Sequence, residues 1–171
     1  MNEIIYTCAI KTPLGQMFAA ASSNDEKKLK NANLCGLWFI DQKHFPKNIN
    51  KWIENKNLHV FDKHKKWIEC YFNREKNLPY IPIKITGSEF QQKVWKLLLE
   101  IPYGKTITYG ELAEKITGKK AAFLARAVGG AVGRNPISLI IPCHRVIGAG
   151  GKITGYAGGL YRKEFLLKLE T

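Results

Sequence analysis

Residues 108–134 read TYGELAEKITGKKAAFLARAVGGAVGR, and their periodicity decides the architecture of the second half of the chain. Thr108 stands where an N-cap belongs, and Leu112, Ala113 and Ile116 recur at the spacing of one helical face, so a helix is expected over residues 109–116. Gly118 closes it, because only glycine enters the left-handed region freely. A second helix is expected over residues 120–132, with Phe123, Leu124, Val128 and Val132 on its apolar side. Two short helices about a tight glycine turn have the form of a helix-turn-helix, although an ordinary helical hairpin shares the pattern. The basic residues Lys119, Lys120, Arg126 and Arg134 on and around the second helix favour contact with DNA. Gly129, Gly130 and Gly133 weaken that helix, a cost accepted where a groove wall or another helix must come close to the backbone.

Upstream, Ser88 followed by Gln91 is a capping-box pattern opening another helix, with Phe90, Val94, Trp95, Leu97, Leu98 and Leu99 as its apolar stripe and Pro102 and Gly104 ending it. Pro79 and Pro82 mark a linker, and residues 81–85 suit a last strand or an extended crossing. Before it, residues 4–10 and 16–21 are β-rich runs separated by the turn signal Thr12-Pro13-Leu14-Gly15. Residues 24–33 are polar and expected as a loop, residues 34–40 as a third strand, and residues 59–72 as a helix. The whole reads as an α+β chain: a small antiparallel sheet with one helix over residues 1–84, then a mostly helical domain over residues 85–171.

Lys and Arg number 27 against 14 Asp and Glu, a net charge of +13 in 171 residues. Such an excess attracts a polyanion through phosphate contacts and counterion release, though a solvated basic surface has the same composition. The chain has no apolar run long enough to span a membrane and no signal-peptide pattern at its start, so an intracellular protein without a membrane partner is expected. Of four cysteines, Cys8, Cys35 and Cys70 stand in apolar surroundings and read as small buried hydrophobes, not as a disulfide framework. His44, His59 and His64 lack zinc-site spacing with any cysteine, so no metal is assigned.

Cys143 differs. An apolar run over residues 139–141, expected as a buried strand, ends in Pro142-Cys143-His144-Arg145. Adjacent cations lower a thiol pKa and favour the nucleophilic thiolate. A structural cysteine with basic neighbours would look the same.

The run Asn135-Pro136-Ile137 with Ile140-Ile141-Pro142-Cys143-His144-Arg145-Val146-Ile147 resembles the active-site signature of the O6-alkylguanine-DNA alkyltransferase family. Further matching segments are Ile101-Pro102-Tyr103-Gly104, Thr108-Tyr109-Gly110, Arg126-Ala127-Val128-Gly129-Gly130, Thr154-Gly155-Tyr156-Ala157-Gly158-Gly159-Leu160 and Arg162-Lys163 before Leu166-Leu167. The match is strong over residues 86–170 and weak before them. The resemblance implies a ribonuclease H-like fold for the N-terminal domain and a winged-helix, helix-turn-helix fold for the C-terminal one. It implies a monomer without cofactor, acting on double-stranded DNA that contains alkylated guanine, in the cytoplasm, or in the nucleus of a eukaryote. Cys143 would accept the alkyl group irreversibly, one turnover per molecule, from O6-alkylguanine and in some members O4-alkylthymine. His144 would deprotonate the thiol through a water, Glu170 would orient that histidine, and Asn135 would hold the turn beside the site. Tyr109 would donate to the leaving guanine and contact DNA, Arg126 would fill the stack behind the flipped nucleotide, and Arg134 would contact DNA. Tyr156 and Ala157 would line the pocket with Tyr109, and Arg145 would brace it.

Two departures stand out. Ala157 occupies a position where some members carry serine. The segment between Gly118 and Arg126 is longer than in the shortest members, which makes Phe123 and Leu124 alternatives to Arg126 as the intercalating side chain. Three other function classes predict different features. A damage-sensing relative without chemistry would lack Cys143, a transcriptional regulator would carry a further domain, and a cysteine hydrolase would turn over without DNA.

Overall fold

The computed structural model describes residues 3–24, 26–75 and 77–171. Backbone contacts divide the chain into two compact units, Met1–Ile85 and Thr86–Thr171.

In the first unit, β1 (Ile4–Thr12) and β2 (Gly15–Ser23) form a hairpin whose register runs from Ile4 opposite Ser23 to Thr12 opposite Gly15. Thr12 shapes the turn: its hydroxyl donates to the Gly15 carbonyl at 2.7 Å and accepts from the Leu14 amide at 3.2 Å. β3 (Asn33–Phe39) pairs antiparallel with β2, with a bulge between Ala20 and Ala21. The expected antiparallel sheet is corrected to a mixed one, because β4 (Ile53–Glu54) adds in parallel on the far side of β1, giving the order β3-β2-β1-β4. A two-residue strand is too short to show alternation in sequence. Of the two readings of residues 81–85, a last strand or an extended crossing, the second holds: the segment meets β3 through a single parallel bridge, Leu34 to Ile83. The expected loop over residues 24–33 contains a 3-10 turn, Glu26–Asn31, with Asp25 outside the described residues.

Cys8, Ile10, Met17, Ala19, Leu37 and Phe39 line one buried face of this sheet. α1 (His59–Phe72) turns Val60, Phe61, His64, Trp67, Ile68 and Tyr71 inward at helical spacing. The other face carries Phe18 and Trp38 as cross-strand partners, joined by Phe45 and Trp52 in a cluster of stacked and edge-on rings. Cys8 and Cys70 are buried as expected; Cys35 is only half-buried.

The second unit opens with α2 (Glu89–Leu99), capped reciprocally by Ser88 and Gln91, and continues through β5 (Ile107–Thr108) into α3 (Tyr109–Thr117), capped in the same way by Thr108 and Glu111. Gly118 ends α3 at φ 72°, in the left-handed region. α4 (Ala125–Gly133) lies against α2, where the Trp95 indole N–H donates to the Ala131 carbonyl at 2.9 Å. β6 (Val146–Ile147) pairs in parallel with β5, and α5 (Leu160–Leu169) ends the fold. Val94, Trp95, Leu98, Leu112, Ala113, Val128, Val132, Ile137, Ile141 and Leu166 form the core.

Two expectations are corrected here. The second helix does not begin at residue 120: Ala122–Leu124 is a 3-10 turn and the α-helix starts at Ala125. The tighter turn, with about three residues instead of 3.6, rotates Phe123 off the apolar side, and Phe123 is 79% exposed. It thereby forgoes about 1.5–3 kcal/mol that burial would contribute. Residues 139–141 form turns, not a strand, closed by the Ile141 amide on the Ile137 carbonyl at 3.0 Å, with Leu139 at φ 71°. The run is apolar because it is buried, and burial leaves no period to separate strand from turn. Among the described residues, no helix is long and apolar enough to cross a membrane.

Candidate active site

Cys143 opens a 3-10 turn, Cys143–Arg145, directly after the buried turns of residues 137–141. The preceding Asn135 holds these turns together. Its Oδ1 accepts from the Ile137 amide at 2.9 Å, and its Nδ2 donates to the Ile141 carbonyl at 2.7 Å and to Cys143 Sγ at 3.1 Å. One buried amide thus fixes the approach of the chain and the direction of the sulfur.

The sequence expectation that His144 and Arg145 lower the thiol pKa is overturned. Burial pushes the Cys143 thiol up, and the Asn135 hydrogen bond and the Lys163 charge offset this only in part. The reason lies in where the two neighbours point. Arg145 donates from Nε and Nη2 to both oxygens of Glu170 at 2.8 and 2.9 Å, and from Nη1 to the Ile101 carbonyl at 2.6 Å. Its charge is committed to Glu170. Burial pushes His144 below the ordinary histidine range, against the opposing pull of Glu170, so the ring is neutral.

His144 Nε2 lies 2.8 Å from Glu170 Oε1, with both side chains almost wholly buried. An ionised carboxylate only accepts, so Nε2 carries the hydrogen. The basic lone pair then sits on Nδ1, the ring nitrogen turned away from Glu170. Glu170 Oε2 also accepts from the Gly104 amide at 3.1 Å. Gly104 stands at φ 71°, and a Cβ there would lie 2.7 Å from the Glu170 carbonyl oxygen, so this approach requires glycine.

Tyr109, at the first position of α3, directs its hydroxyl to the carbonyls of Thr154 and Gly155, both at 3.4 Å. The Tyr156 hydroxyl is buried without a hydrogen-bond partner among the described residues. Burial raises both phenols, and the nearby Cys143 sulfur raises them further. Tyr109 thus meets the segment that carries Tyr156, and Ala157 follows half-buried.

The sequence reading assigned no role to Lys163. It is fully buried, and its ammonium donates to the carbonyls of Val146, Thr154 (2.7 Å) and Gly155 (3.2 Å) while lying 5.9 Å from the centre of the Tyr109 ring. Burial pulls its pKa down to about 8, with Cys143 opposing. It ties the end of β6 to the segment carrying Tyr156. A signal was present: Lys163, Leu166 and Glu170 recur at helical spacing on one face, and that face is buried.

The expected residues thus fall into two groups. Asn135 meets the sulfur of Cys143, His144 and Arg145 meet on Glu170, and Tyr109 reaches the segment that carries Tyr156 and Ala157. Arg126 is exposed on the first turn of α4, and Arg134 follows the last, its Nη1 donating back to the Gly130 carbonyl at 3.1 Å.

Residues 89–171 match the family model described as 6-O-methylguanine DNA methyltransferase, DNA binding domain. The chain is 46% identical over 166 residues to the methylated-DNA–protein-cysteine methyltransferase of Methanosarcina mazei, covering 97% of both chains. The crystal structure of the O6-methylguanine methyltransferase of Mycobacterium tuberculosis superposes with a TM-score of 0.80 at 38% identity, covering 98% of this chain and 93% of that one. A second crystal structure from that organism, in complex with DNA, gives 0.83 at 39% identity, covering 96% and 92%. With a buried cysteine held in this cluster and relatives matching along nearly its whole length, the chain belongs to the methylated-DNA–protein-cysteine methyltransferase family.

Proposed function

We propose that the chain repairs DNA by direct damage reversal, moving the alkyl group of O6-alkylguanine onto Cys143. The observation that carries the reading is the buried sulfur held by Asn135, next along the chain to a neutral histidine whose far nitrogen is locked onto Glu170. His144 Nδ1 takes the thiol proton through a water. The thiolate attacks the alkyl carbon in line, an S–C bond forms and the C–O6 bond breaks. The electron pair leaves on guanine, the Tyr109 hydroxyl passes its proton to the ring so that it departs as the neutral base, and the proton held by His144 returns through water to the phenolate. Tyr156 and Ala157 line the pocket and Arg145 braces it through Glu170. A thioether does not return to a thiol in water, so each molecule reacts once. O4-alkylthymine presents the same alkyl–oxygen bond and is a second substrate class.

The base must leave the stack to reach a buried sulfur. The C-terminal domain, residues 85–171, is a winged-helix, helix-turn-helix unit that enters the minor groove with α4, where Arg126 fills the gap and Arg134 meets the backbone. The N-terminal domain, residues 1–84, is ribonuclease H-like: the order β3-β2-β1-β4 with β1 and β4 parallel supports that reading. The protein acts as a monomer in the cytoplasm, or in a eukaryotic nucleus.

The test is transfer itself. Duplex DNA carrying O6-methylguanine with a labelled methyl group is mixed with the protein. One label per chain, found by peptide mass on Cys143, is the expected result; label elsewhere, or continued turnover of excess substrate, would refute it.

A further inference from the structure

Phe123 is the most exposed large hydrophobic side chain among the described residues of the second unit. It is 79% exposed, in the 3-10 turn Ala122–Leu124 that runs directly into α4. Arg126 and Ala127, three and four residues on, share its face and are exposed too. Gly130 and Arg134 continue that face. Val128, Ala131 and Val132 form the opposite, buried face, and Leu124 is half-buried. Ala127 and Gly130 are small, so their side chains cover little of the exposed Phe123 and Arg126. Exposed Lys119 and Lys120 precede the turn. An apolar ring among four cations fits a partner that is anionic outside and apolar inside, which is the chemistry of a DNA duplex whose base steps can be opened.

We propose that Phe123 is a second wedge acting beside Arg126, so that the two are a pair and not alternatives. The inference rests on the alkyl-transfer reading above and adds to it. Side chains one helical turn apart have Cβ atoms about 5–6 Å from each other, and successive bases on a strand are about 3.4 Å apart, so the two reach neighbouring steps. Arg126 occupies the space behind the flipped nucleotide. Phe123 presses its ring into the adjoining step and lowers the cost of opening the duplex. It touches no reacting atom and is a positioning residue.

The experiment compares single-turnover transfer from O6-methylguanine in a duplex with transfer from the same oligonucleotide as a single strand, for the wild type, Phe123→Ala and Phe123→Leu. A wedge matters only where a stack must be opened. Phe123→Ala is expected to lower the duplex-to-single-strand rate ratio about tenfold, within the range of one lost base–aromatic contact. Phe123→Leu keeps most of the ratio, because a wedge needs apolar bulk. A 2-aminopurine beside the lesion should brighten on binding the wild type and the leucine variant, and less with alanine. An unchanged ratio, or equal losses on both substrates, overturns the proposal while leaving alkyl transfer intact. A self-association lost in Phe123→Ala assigns the face to a second copy and also overturns it. A wild type that transfers no label from either substrate brings down the alkyl-transfer reading and this inference together.

Discussion

At the scale of the residue, the site is an exercise in partnering. Asn135 uses both ends of its amide, so Asn135→Ala leaves the buried Ile137 amide without its acceptor and frees the sulfur. A loss of about 1–3 kcal/mol is expected in urea unfolding, together with slower transfer. Glu170→Gln keeps the shape but withdraws the charge that offsets Arg145. Breaking such a pair costs about 3–5 kcal/mol, and the melting temperature should fall together with the transfer rate; a variant as stable as the wild type would contradict the assigned pairing. The neutral state of His144 has a pH signature. A base whose pKa lies below 6.5 stays competent above that value and is lost only as protons bind below it. The single-turnover rate is therefore expected to fall on its acid side only at pH below the ordinary histidine range, and an acid limb within or above that range would contradict a neutral ring. Cys143→Ala should abolish transfer while still binding duplex DNA.

At the scale of the element, the capping signals were legible. Ser88 with Gln91 and Thr108 with Glu111 form the reciprocal bonds that local chemistry requires. Thr108→Ala should cost about 1 kcal/mol, and the α3 amides should show it first in hydrogen exchange. Helix α1 was legible to its ends, because six inward side chains, Val60, Phe61, His64, Trp67, Ile68 and Tyr71, repeat at one period against one sheet. The 3-10 turn ahead of α4 was not, since three residues are too few to display a period, and Phe123 was placed on the wrong side as a result. Residues 139–141 failed differently: their hydrogen bonds come from the Asn135 side chain and from turns within the segment, which hydrophobicity does not encode. Arg126→Ala, removing the first exposed cation of α4, should slow transfer from duplex more than reaction with the free modified base.

At the scale of the whole molecule, charge and burial make separate predictions. With a net charge of +13, affinity for undamaged duplex should fall steeply and linearly in log–log form as salt rises. In the first unit, His64 is buried, neither ring nitrogen meets a hydrogen-bond partner among the described residues, and burial pulls its pKa down to about 3. The unfolded chain takes up that proton from pH 6.5 downward and the folded one does not. Stability is therefore complete above pH 6.5 and falls by about 1.4 kcal/mol per pH unit between 6.5 and 3. Urea unfolding of His64→Leu, compared at pH 7.5 and pH 5, should show an acid loss about 2 kcal/mol smaller than in the wild type; equal losses would show that His64 is solvated.

The sequence by itself determined the α+β class, the helix caps and the family, and singled out Cys143 from the other cysteines, because these rest on local chemistry: a motif, a period, a capping side chain. It pointed to Glu170 only through resemblance. Tertiary structure alone decided the rest. Arg145 turns to Glu170 and away from the sulfur, Lys163 is buried as the tie between β6 and the pocket wall, and Cys143 is a thiol raised by burial. The physical reason is the same throughout. The state of an ionisable group depends on how much water it loses and which charge it meets, and both are set by residues far away in the chain.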